Sequence, residues 1–256
     1  MKTAPGTAAR CFAITILVLA ILLPQRLSAF LMGGHKSITT RALERIPRTA
    51  RLADWERRSL IEGSVDTDLS EGGWWPPGGA PYEPRFHFDS KLDYPAVRRN
   101  FQDLMRLVRE NLAKVEKDPH EFGKILHAVE DFYSHSNYVT LYRQFRTDRN
   151  LMVGDIPIIE DVLSSPDQYP GFQVVLEASL RTGWYPDHNP TSDTDHGSTV
   201  NPYGQGINKD TFLRHFNKDA RVTAEAAAAR YVKLYLKDPG AVQRCADAWQ
   251  VRLFPQ

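Results

Sequence analysis

The stretch KILHAVEDFYSHSNY, residues 124–138, decides how this chain is read. On an α-helix, residues four apart lie about 40° apart around the axis, so His127, Asp131 and His135 share one face. Phe122, Ile125, Leu126, Val129 and Tyr133 fall mostly on a different arc and give the same helix a buried side. One such histidine is usually a hydrogen-bonded core residue. Three potential ligands in register, followed directly by Ser136-Asn137, point instead to a metal. Imidazole and carboxylate suit zinc, with bonds of about 2.0–2.2 Å.

Helical signals continue on both sides. Pro95 opens a helix whose stripe is Val97, Phe101, Leu104, Met105, Val108, Leu112 and Val115, and Pro119 opens the helix of the motif. Shorter helices are expected over Ser37–Ile46, Arg51–Glu62, Ile158–Leu163 and Phe172–Leu180. An Ala-rich helix follows over Asn217–Leu236, and a last one over Gly240–Val251. Strand signals are almost absent, so the expected fold is all-α. Two long connections interrupt it, Asp66–Pro95 and Gly183–Asn208, and connections of this length in a compact domain are usually functional.

The first 29 residues read as a secretory signal peptide. Lys2 and Arg10 precede the apolar run Phe12–Leu23, and Leu27-Ser28-Ala29 offers a cleavage site. The run is shorter than the roughly 20 residues needed to span a bilayer. Residues 30–256 then form one domain. Removing Lys2, Arg10 and Arg26 leaves 29 basic against 31 acidic side chains, a balance that gives no broad attraction to nucleic acid or an anionic membrane. Cys245 is the single cysteine after the leader, which excludes an internal disulfide in a secreted chain. No nucleophile elbow or phosphate loop occurs, so covalent catalysis is not indicated.

The pattern HxxxD with a further His resembles the core of the zinc-dependent phospholipases C and the single-strand-specific zinc nucleases. The wording LHAVEDFYSHSNYV, with GINKD later, is similar to Het-C-type proteins and to the amino-terminal region of some von Willebrand factor A domain-containing proteins. The resemblance implies up to three zinc ions. Cleavage after Ala29 would free the α-amine of Phe30 as a ligand, five residues before His35. An Asp of the first long connection, Asp68 or its rival Asp66, would join His87, His127 and Asp131 at one ion. Asp131 would bridge to the ion of Phe30 and His35. His135 would serve a third ion, with either His215 and Asp219 or His196. Asp68 or Asp66 would also orient the attacking water.

The implied activity is secreted phosphoester hydrolysis, with a phospholipid or other phosphodiester as substrate, peripheral contact with a membrane, and no role for double-stranded nucleic acid. Two alternatives stay open: a zinc-dependent nuclease, and a non-catalytic Het-C-like module with a structural metal. Trp74-Trp75, between two implied ligands, can wall a cleft or simply pack. His120 and His188 read as solvated residues.

Overall fold

The computed structural model describes residues 31–47, 52–70, 82–184, 206–210 and 214–253. Ten α-helices make up this part: α1 (Leu31–Glu44), α2 (Asp54–Ser70), α3 (Pro84–His87), α4 (Tyr94–Ala113), α5 (Pro119–His135), α6 (Tyr138–Phe145), α7 (Ile159–Ser164), α8 (Phe172–Ser179), α9 (Asn217–Tyr235) and α10 (Pro239–Trp249). No strand occurs among the described residues, and Ser136 and Thr182 form an isolated bridge. The described chain is all-α around one hydrophobic core. None of its helices is long and apolar enough to cross a membrane. The leader, Phe30, Trp74-Trp75, His188 and His196 lie outside the described residues.

Helix α5 carries the motif and is the axle of the fold. Asp118 caps it by accepting from the Glu121 amide at 3.0 Å, and Pro119 occupies the first turn. From Phe122 to His135 nearly every side chain is buried, as expected of a helix surrounded by others. Helix α2 packs along it most extensively, then α9, with α3, α4 and α1 completing the surround. Ala220, Ala224, Ala227 and Ala228 bring α9 in close, because small side chains keep the axes near.

The α2–α5 crossing is closer still. A Cβ built on Gly63 would lie 2.0 Å from the His120 carbonyl oxygen, and one on Gly123 would lie 2.5 Å from that of Leu60. Only glycine fits at either position. This contact also explains a boundary that periodicity misplaced. The sequence suggests a helix ending at Glu62, but α2 runs to Ser70, so Asp66 and Asp68 sit on its last turns and not in a loop. Gly63, Val65 and Thr67 are poor helix formers, and packing on α5 outweighs that preference. Val115 departs in the other direction: it lies past the end of α4 and is fully exposed.

Helix α3 is a single turn stopped by Phe88, which adopts φ 51°. A left-handed aromatic residue is strained. Its ring is held between Phe101 and Phe132, at centroid distances of 4.6 and 5.2 Å, and this burial fixes the turn that presents His87 and Asp89. Elsewhere in the core, Tyr231 donates to Glu160 at 2.9 Å, and Glu160 is fully buried. Burial raises the Glu160 pKa above 4.5, against smaller opposing contributions from hydrogen bonds and Arg230.

Two stability predictions follow from these contacts. Gly63→Ala should cost about 1–3 kcal/mol or more through overpacking, read as a lower urea midpoint; an unchanged midpoint would contradict the tight crossing. For Glu160 the folded pKa is raised, so its favourable contribution is complete below about pH 4.5 and is lost as pH rises through the folded value. Glu160→Gln should accordingly gain stability relative to the parent at pH 8 and little at pH 4. Equal effects at the two pH values would refute the assignment.

Candidate metal centre

Five of the residues singled out from the sequence meet where α1, α2, α3 and α5 converge. His35 comes from α1, Asp68 from the end of α2, His87 from α3, and His127 and Asp131 from one face of α5. His35, His127 and Asp131 have no exposed surface, and the Asp68 side chain is 3% exposed. Two groups, His87–His127–Asp131 and His35–Asp68–His127, each bring their ligand atoms within 4.8 Å of one another.

The distances resolve two positions. His127 Nε2 lies 3.2 Å from His87 Nδ1, 3.1 Å from Asp131 Oδ2 and 3.4 Å from Asp68 Oδ1. His87 Nδ1 is 3.3 Å from Asp131 Oδ2 and 3.9 Å from Asp68 Oδ1. A tetrahedral ion with bonds of about 2.0–2.2 Å has ligand–ligand edges of about 3.3–3.6 Å. Two nitrogens and two oxygens thus stand at close to the edges of one coordination shell. The opposite oxygens of the same carboxylates face His35, whose Nε2 is 3.1 Å from Asp131 Oδ1 and 3.9 Å from Asp68 Oδ2. Each carboxylate therefore reaches from one position to the other.

The hydrogen bonds fix which nitrogens face inward. A carbonyl oxygen only accepts, so the 2.7 Å contact of His127 Nδ1 with the Ser64 carbonyl puts the proton on Nδ1 and leaves Nε2 as a lone pair. Glu130 does the same for His35, accepting from Nδ1 at 2.6 Å. Lone pairs then point at carboxylate oxygens, an arrangement that needs protons or a cation between them. Both Asp68 oxygens are buried without a hydrogen bond among the described residues, which agrees with a donor set built for a cation.

Charge follows the same logic. Burial opposes ionisation of Asp131, but His127, His135 and His35 hold its pKa well below 3.8. Burial likewise opposes a charged His35, and Asp131, Glu130 and Asp68 outweigh it, holding that pKa well above 6.5. No Lys or Arg among the described residues pairs with Asp68, Asp131 or Glu130. These buried residues are able to hold a metal ion.

The remaining candidates separate from this centre. Asp66 is about half exposed and pairs with His120 at 3.1 Å, facing away. His135 sits two turns beyond His127. Its Nδ1 is 2.7 Å from the His87 carbonyl oxygen and 2.9 Å from Asp89 Oδ1, and its Nε2 is 3.5 Å from Asp210 Oδ1. Burial lowers the His135 pKa, but Asp89, Asp131 and Asp210 more than reverse this. His215 is exposed and lies against Phe216, and Asp219 is held by both nitrogens of an Arg143 fork at 3.0 and 2.7 Å. The four-residue spacing of His215 and Asp219 is real, but the start of α9 turns that carboxylate towards α6.

Four residues escaped the sequence reading. Glu130 carries no sequence signal beyond its place beside Asp131, and Ser64 meets His127 through its backbone carbonyl. Asp89 lies two residues after His87 in FHFDS, and Asp210 closes GINKD. Asp210 accepts from Ser134 Oγ at 2.5 Å. Next to it, burial lowers the Lys209 pKa to about 7, and its Nζ donates to the Ser136 and Ile207 carbonyls at 2.6 and 2.9 Å.

The geometry predicts that metal-stripped protein takes up two divalent cations per chain and releases protons as it does so. Because the His35 pKa is raised, proton competition should weaken uptake as pH falls below that value. At free ion one hundred times Kd, each site should add about 2.7 kcal/mol of stability. Calorimetric titration in buffers of different ionisation enthalpy checks the stoichiometry and proton release; no uptake at pH 8 would show that the cluster is held by protons alone. Compared with known proteins, the chain matches no family model, no curated protein and no solved structure.

Proposed function

We propose that this chain is a secreted zinc-dependent phosphodiesterase of the phospholipase C type. The observation that carries the reading is the pair of carboxylates, Asp68 and Asp131, each offering one oxygen to His87 and His127 and the other towards His35. Such shared carboxylates are what a two-ion hydrolytic centre requires. When bound, a pair of zinc ions supplies Lewis acidity towards phosphate oxygens and lowers the pKa of water from 15.7 towards about 7.

The chain's own residues set the conditions for that chemistry. Ser64 and Glu130 keep His127 and His35 in the tautomers whose Nε2 atoms face the centre. Asp68 and Asp131 fix the spacing of the two positions. Three carboxylates, including Glu130, against two divalent cations leave roughly one positive charge, enough to hold a phosphodiester monoanion in a near-neutral protein. In the cluster without cations, burial opposes ionisation of Asp131 and the surrounding imidazoles outweigh it, holding its pKa well below 3.8. The resemblance of the motif order to that of the phospholipase-like proteins favours a phospholipid as the first substrate class, with single-stranded nucleic acid second.

A second reading has its own observation. His35, His127 and Asp131 are completely buried, as ligands of a structural ion would be. In that case the chain is a non-catalytic module and the cations serve folding alone.

Hydrolysis of a phosphodiester dye by zinc-loaded protein separates the two. Asp131→Ala and His127→Ala should each lower the rate by about a hundredfold or more, whereas His120→Ala, outside the centre, should stay within about twofold. Zinc uptake without any hydrolysis of dye, phospholipid or single-stranded DNA would favour the structural reading.

A further inference from the structure

We propose that Glu130 is a positioning residue that acts through His35 to set the affinity of one of the two cation positions. The inference rests on reading the cluster as a two-cation centre. Its geometry is specific. Glu130 and Asp131 are consecutive on α5 and bracket one imidazole: Glu130 Oε2 takes Nδ1 at 2.6 Å, and Asp131 Oδ1 faces Nε2 at 3.1 Å. The ring is also stacked on His127, with centroids 4.1 Å apart, so it cannot swing without disturbing the second ligand.

Glu130 is itself no ligand. Thr39 Oγ1 donates to its Oε1 at 2.6 Å, and Ser64 Oγ donates to its Oε2 at 3.3 Å alongside His35. Both oxygens are thus used behind the ring, on the side away from Asp68 and Asp131. Thr39 lies on α1 and Ser64 on α2, so three helices hold one carboxylate, which in turn holds one histidine. Ser64 ties the two histidines together, since its carbonyl orients His127 while its hydroxyl supports Glu130. A full carboxylate in this place does two things that a neutral acceptor does not: it fixes the Nδ1–H tautomer and makes Nε2 a stronger donor to a cation. A buried carboxylate is a costly way to orient a ring unless its charge is used.

Zinc titration of the metal-stripped, full-length chain tests this. Glu130→Gln keeps the shape and an acceptor but removes the charge. One of the two zinc affinities should fall about 10–100-fold, and the other should change by less than about threefold. In a His35→Ala background the same substitution should have no further effect, whereas in a His87→Ala background its effect should persist. Thr39→Val, which removes only the anchor of Glu130, should weaken the same ion to a lesser degree and serves where Glu130→Gln folds poorly.

Equal loss at both ions together with a lower thermal midpoint of the stripped protein would mean a structural role and overturn the proposal. So would unchanged affinities, or a full effect that survives without His35. If the unmodified chain takes up no zinc, the two-cation reading fails first, and this failure is visible before any variant is made.

Discussion

Three carboxylates lie buried at the meeting point of four helices, and among the described residues their ionisable neighbours of opposite sign are imidazoles. A carboxylate removed from water without compensation costs several kcal/mol. Asp68, Asp131 and Glu130 cannot have been left so without something in return, because the rest of the core is efficient: Trp249 stacks on Phe101 at 3.9 Å, and the side chains of α5 are buried nearly all round. What compensates is either protons on the histidines or cations among them. The two states are related. The field that raises the His35 pKa is the field that would draw in a divalent ion.

That field exists only because two helices approach unusually closely. Gly63 and Gly123 let α2 lie against α5, and the rest of the centre follows from this approach. One residue after Gly63, the Ser64 carbonyl reaches His127; five residues after it, Asp68 reaches the same imidazole. A wider crossing would separate these groups from α5 and leave the carboxylates stranded. The glycine contact and the buried His/Asp cluster belong together, because packing energy holds charged groups where they would not remain by themselves.

The sequence displayed the part of this that depends on periodicity. His127 and Asp131 share a face because helices have 3.6 residues per turn, and the helices of the described chain were expected from apolar patterns or caps except α3, which lies inside the first long connection, α6 and the second half of α2. The sequence did not display what depends on helix rotation and distance. Glu130 lies about 100° round from Asp131 and therefore meets His35 from its other side, which no linear pattern reveals. Asp219 has the spacing of a ligand partner, yet α9 packs so that Arg143 takes both its oxygens. Asp68 was visible as a candidate but was read as a loop residue, because glycine and β-branched neighbours hid the helix beneath it.

His135 shows how far one face of a helix can carry two kinds of role. It shares the register of His127 and Asp131, but lies a further turn along, where α5 ends. There the backbone supplies acceptors: the His87 carbonyl takes Nδ1, and Lys209 occupies the carbonyls of Ser136 and Ile207. A cation side chain is favoured at a helix C-terminus, where the unsatisfied carbonyls carry partial negative charge. Asp89 and Asp210 flank the imidazole, and with Asp131 they favour its charged form against the opposing effect of burial. In this position His135 binds the short strap 206–210 to the end of the motif helix and sits behind the backbone of His87. The same residue spacing thus places His127 and Asp131 in the buried cluster at the middle of the helix and His135 between Asp89 and Asp210 at its end.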